Sequence, residues 1–129
     1  MTVKKPTSTI KKDTRGTGSR KKPMHPMVLD LGFKMYKISQ PSLDKEQLYG
    51  YVDFSENVIC VDPSQDSVDY RGTLLHEILH VGFDFFGLGD DDEMPTIGNE
   101  FLTHITSNML QMLFTLNKDL FKFILTEEK

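Results

Sequence analysis

The sequence predicts an α+β domain: a small antiparallel sheet of about three strands packed on two long helices, with a short helix at the C-terminus. Three observations lead there. Apolar residues alternate with polar ones over residues 29–35, and residues 58–61 are β-branched and apolar, both strand signals. Residues 67–86 and 96–116 instead carry apolar residues at helical spacing. Turn-forming groups, Gln40-Pro41-Ser42, Ser55-Glu56-Asn57 and Gly87-Leu88-Gly89, punctuate these runs.

The 129 residues suit one domain, expected over residues 27–129. Residues 1–27 carry eight Lys/Arg against one acid, Asp13, a net of +7; the remainder carries seven basic and eighteen acidic residues, a net of −11. Residues 1–26 hold few apolar side chains and are expected to be a disordered basic tail. Such a tail suits nucleic acid or an acidic partner, or a solubilising role, or folding back on the acidic body. No aromatic residue is interleaved with its cations, which argues against base stacking. His25, beside Pro26, is expected to be exposed and uninvolved.

Cys60 is the only cysteine, so no intramolecular disulfide forms; that suits a reducing compartment. No 18-residue apolar run and no apolar leader are present. A cytoplasmic protein without membrane contact is expected.

The body opens with Leu29, Leu31, Phe33 and Met35 on odd positions, a half-buried strand. The phase then slips to Tyr36 and Ile38, which a β-bulge or a short helical turn near Met35 would explain. After a loop at Leu43–Gln47, residues 49–54 and 58–61 form a hairpin across Ser55-Glu56-Asn57, with Asn57 suited to positive φ. Asp62–Ser67 is rich in capping residues, and a helix is expected from Ser67 or Val68 to about Phe86, stopped by Gly87. Asp90-Asp91-Asp92-Glu93 lacks the alternating oxygens and Gly of a calcium loop and reads as a solvated acidic turn. Pro95-Thr96 opens a second helix to about Leu116, and Asp119 caps a short helix over residues 120–126.

The first helix carries Leu74-Leu75-His76-Glu77-Ile78-Leu79-His80, an H-E-x-x-H pattern. Two imidazoles four residues apart share one helix face and can reach one Zn²⁺, with the Glu77 carboxylate beside them as a base for a metal-bound water. The helix is apolar nearly all round, so a buried position is expected and its polar residues need partners. Two histidines require a third ligand. A His six residues after His80 is ruled out, because Phe86 stands there. Asp84 lies one turn on along the same helix, where a supporting or solvent role suits it better. Glu100 is the preferred third ligand, and His104, one turn further, is an oxyanion donor or the alternative ligand. Tyr70 is a weaker candidate donor.

His76-Glu77-x-x-His80 followed by Asn99-Glu100 resembles the gluzincin type of zinc metallopeptidase, of which thermolysin is the familiar member. The order of hairpin, active helix, acidic loop and Glu-bearing helix over residues 28–125 also resembles ImmA/IrrE-type peptidase domains. It is similar, too, to small metallopeptidase-like proteins of tailed phages, which have a similar Leu-Leu-His-Glu-Ile-Leu-His opening with strands just before it. The resemblance implies one zinc per chain held by His76, His80 and Glu100, with Glu77 as general base in peptide-bond hydrolysis. One turn after the ligand Glu, where thermolysin-like enzymes carry Asp, this chain has His104. A phage origin would place it in the host cytoplasm or the virion. The expected partner is a protein or peptide substrate, whose strand could add to a sheet edge beside the active helix. A regulatory protease acting on one repressor-like partner is a narrower version of this reading. The competing expectation is a non-catalytic zinc-binding or virion interaction module, delivered by a basic nucleic-acid-binding tail; Glu77, which a purely structural zinc does not need, favours catalysis.

Overall fold

The computed structural model describes residues 9–11, 22–88 and 99–126, with backbone alone for 9–11 and 99. Most of the expected tail, residues 1–26, lies outside the described residues, as do Asp90–Glu93 and the Pro95-Thr96 helix start.

The fold is α+β. Strands β1 (Thr9–Lys11), β2 (Val28–Asp30), β3 (Met35–Ser39), β4 (Leu48–Asp53) and β5 (Val58–Val61) precede helices α1 (Ser67–Phe85), α2 (Asn99–Leu116) and α3 (Lys118–Leu125). The sheet runs β1-β4-β5-β3-β2. Four of its strands belong to the body, and the short β1 extends the β4 edge. The sheet is mixed rather than antiparallel: β4 and β5 form the expected antiparallel hairpin, but β5 then pairs in parallel with β3, Ile38 opposite Ile59. Inserted between two neighbours, β5 is the central strand, which explains its unbroken apolar run: Ile59, Cys60 and Val61 are all buried.

The single strand expected over residues 29–39 is two strands. Leu29 and Leu31 are buried, but Phe33 is fully exposed, and Tyr36 and Ile38 resume burial on the next strand. A tight turn separates them. Gly32 adopts φ +92°, its N–H donates to Asp30 Oδ1, and the Leu31 N–H donates to the Lys34 carbonyl. The phase slip is this reversal, neither a bulge nor a helical turn.

Asn57 takes φ +57° in the β4–β5 turn, as its side chain allows. The Asp53 carboxylate closes that turn by accepting from the Ser55 and Glu56 N–H groups. Asp66 caps α1 by accepting from the Asp69 N–H at 2.8 Å. The helix ends in a Schellman motif: the Leu88 N–H donates to the Phe83 carbonyl and the Gly87 N–H to Asp84, with Gly87 at φ +82°.

The core joins Leu29, Ile38, Val52 and Ile59 of the sheet to Tyr70, Leu74, Ile78 and Val81 of α1, and to Met109, Leu113 and Leu120 beyond. Helix α2 meets α1 at Gly82, where a Cβ would stand 2.6 Å from Met109 Sδ. Asn117, between α2 and α3, accepts from the Asp30 N–H and donates to the Asp30 and Leu113 carbonyls, stitching the helical joint to β2. α3 begins at Lys118, two residues before its expected start at Leu120, so Asn117 stands at the cap position and Asp119, the expected cap, lies inside the first turn.

Candidate metal centre

Capped at Asp66, α1 presents two distinct faces. Tyr70, Thr73, Leu74, Glu77, Ile78 and Val81 form a buried stripe at helical spacing, facing the sheet and the other helices. His76 and His80 lie off that stripe, exposed and half-buried respectively. Their rings meet edge to face with centroids 4.8 Å apart. One turn of helix brings them together, as the four-residue spacing requires.

Glu77 is 0% exposed. It sits in the seam between α1 and β4, against Gly50: a Cβ at residue 50 would stand 3.4 Å from Glu77 Oε2, 2.8 Å from Thr73 Cγ2 and 2.9 Å from the Cys60 carbonyl. Glycine at 50 is therefore what lets the carboxylate and Thr73 approach the strand. Glu77 interacts with its surroundings, while its Oε2 is buried with no hydrogen bond among the described residues.

A buried polar cluster holds this seam in register. Thr73 Oγ1 donates to Gln65 Oε1 at 2.7 Å, and Gln65 Nε2 donates to the carbonyls of Asp62 and Tyr49. Asp62 in turn accepts from the Leu43 and Ser64 N–H groups. Cys60 is buried opposite Tyr51. Burial pushes its thiol pKa up, against a hydrogen bond from the Tyr51 side that lowers it. The Tyr51 hydroxyl is pushed up to about 12, first by that hydrogen bond, then by burial and by the nearby acids Asp53 and Glu46.

The candidate third ligands stand elsewhere. Glu100 lies in the first turn of α2 and His104 one turn further, both exposed. Among the described residues, no group of three His, Cys, Asp or Glu side chains is close enough to hold a metal ion. The structure thus brings His76 and His80 together on one face of α1, and among the described residues neither Glu100 nor His104 forms a three-residue group with them. Asp84 is half-buried, and its charge bears on Tyr36, whose hydroxyl is raised to about 12 mainly by burial.

Two aromatic-site residues depart from their expected roles. His25 is half-buried rather than exposed, packed on Phe123 with ring centroids 4.8 Å apart. Its Nδ1 lies 2.7 Å from the Pro26 carbonyl and its Nε2 2.7 Å from the Tyr70 hydroxyl. A carbonyl only accepts, so Nδ1 carries the proton and Nε2 accepts from Tyr70. Gln40 Nε2 completes the chain by donating to the same hydroxyl. Tyr70, wholly buried and engaged here, is not a free oxyanion donor. No periodicity or motif marks His25 in the sequence; a partner forty-five residues away decides its burial.

Among the described residues, no helix is long and apolar enough to cross a membrane. No family model matches the chain, and no curated protein and no solved structure matches it.

Proposed function

We propose that this chain is a zinc-dependent peptidase, with His76 and His80 as two of the metal ligands and Glu77 as the general base. The observation that supports it most is the helix itself: an H-E-x-x-H segment whose imidazoles touch on an accessible face, while its glutamate lies in the seam beside a strand. A bound divalent zinc would supply Lewis acidity for the carbonyl and an acidified water. Glu77 takes the proton of the attacking water and delivers it to the departing amide nitrogen. Glu77 lies buried against Gly50 of β4, where its carboxylate is held beside the strand. Glu100 is the proposed third ligand. His104, sharing its helix face one turn on, is the proposed donor to the developing oxyanion. Both are exposed residues in the first two turns of α2. The lone buried Cys60 favours a reducing compartment such as the cytoplasm, of a host cell if the chain is phage-encoded.

Elemental analysis tests the reading directly. About one zinc per chain in the wild type, with clear loss in Glu100→Ala, supports a His₂Glu site. Full zinc in both moves the third ligand, first to His104. A folded wild type that refuses added zinc sinks the enzyme reading. What then remains is an interaction module whose basic N-terminal segment binds nucleic acid or an acidic partner.

A further inference from the structure

β4 pairs with β5 along one edge and with Thr9–Lys11 along the other. In the second pairing Thr9 lies opposite Tyr51, Ile10 opposite Gly50 and Lys11 opposite Leu48, antiparallel, with a bulge between Ile10 and Lys11. Gly50 is the residue against which the Glu77 carboxylate sits. Neighbouring strands run about 4.8 Å apart, so the backbone of Ile10 passes one strand spacing from the Glu77 seam. The paired segment, Thr9–Lys11, belongs to the N-terminal stretch of net charge +7.

We propose that Thr9–Lys11 is a built-in occupant of a peptide-docking edge. It takes the place of an extended basic peptide beside Glu77, and an outside peptide of that kind binds by displacing it. Calling that peptide a substrate rests on the peptidase reading; the docking edge does not. Three paired residues make a short ladder, easily exchanged for a longer strand. Being part of the same chain, the occupant competes at an effective concentration of roughly millimolar, which masks the edge from dilute peptides. Ordinary peptides would then be turned over slowly by the intact chain, and its own N-terminal segment would mark the chemistry the edge prefers: small, β-branched and basic residues in extended form.

The test uses the full chain in three forms: wild type, Thr9→Pro and Ile10→Pro. Successive amides of a strand point to opposite sides, so one of the two prolines removes an N–H that faces β4. A fluorescent peptide copying residues 5–15 is titrated against each and followed by anisotropy, and its cleavage is followed by mass spectrometry. Amide exchange confirms that β5 stays protected while β4 loosens. The expected result is binding about tenfold tighter, or more, to at least one proline variant than to wild type, because the internal competitor is gone. Equal affinity for all three forms, or no binding to any, overturns the proposal. Tight binding to a proline variant without cleavage upholds the docking edge and counts against the peptidase. Cleavage of the peptide at the same rate by all three, with equal affinity, upholds the peptidase and overturns the occupant.

Discussion

Glu77 and Gly50 form one structural unit, and each should respond to substitution in its own way. Glu77→Gln keeps the size of the side chain and both histidines. It should retain zinc and lose peptide hydrolysis by about 10³-fold, the order expected for a general base. Zinc lost together with activity would instead make Glu77 part of the binding site. Gly50→Ala places a methyl 2.9 Å from the Cys60 carbonyl, which is backbone and cannot step aside. Overpacking of this kind should cost about 1–3 kcal/mol, read from the urea midpoint. Gly82→Ala is the useful contrast. Its Cβ meets the flexible end of Met109, and alanine regains about 1 kcal/mol of helix propensity, so the net change should be much smaller. If both variants lose the same stability, the seam at Gly50 is looser than its contacts indicate.

His25 gives the residue scale a pH signature. Burial lowers its pKa below the usual 6.5, the Pro26 carbonyl opposing weakly. A folded state that holds this imidazole neutral binds fewer protons than the unfolded chain just below pH 6.5. The contribution of His25 is therefore present above pH 6.5 and is lost as pH falls through the lower folded value. Protonation would also turn Nε2 into a donor facing a hydroxyl that already receives Gln40. Urea midpoints measured between pH 7.5 and 5 should fall in the wild type and fall less in His25→Gln. Parallel curves would remove His25 from the acid response.

At the scale of elements, α1 owes its start to Asp66 and its end to the Gly87 motif, both local devices. Asp66→Ala should cost about 1 kcal/mol, the usual value of an N-cap. The joint of α2 and α3 depends instead on a distant contact. Asn117 satisfies both backbone groups of Asp30, eighty-seven residues away. Asn117→Ala leaves those groups without that partner and should cost about 2 kcal/mol, more than the cap does. Equal losses would mean that water replaces the amide at this joint. The first helix with its ends and the β4–β5 hairpin were legible in the sequence because each depends on residues a few positions apart. The break at Gly32 was not. Leu29, Leu31, Phe33 and Met35 alternate as a strand does, and only the pairing of β2 with β3 shows that the chain has turned between them.

For the whole molecule, the proposed metal couples ligand binding to fold stability. Zinc at about 100 times its dissociation constant should stabilise the wild type by about 2.7 kcal/mol, seen as a rise in melting temperature. Glu100→Ala should show little of that rise if α2 supplies the third ligand. A full rise in Glu100→Ala but none in His104→Ala would reassign the ligand.

Local chemistry in the sequence determined the helices, the hairpin and the pair His76–His80, since the spacing of residues along a helix or across a tight turn needs no distant partner. Tertiary structure decided what distant segments do to one another. β5 entered between β4 and β3 and made the sheet mixed. Glu77 was turned into the seam at Gly50, His25 was drawn onto Tyr70, and Thr9–Lys11 joined the β4 edge. Each of these joins residues that are far apart in the chain. Their pairing is selected by burial and backbone hydrogen bonding across the assembled fold, terms that no local pattern of residue types contains.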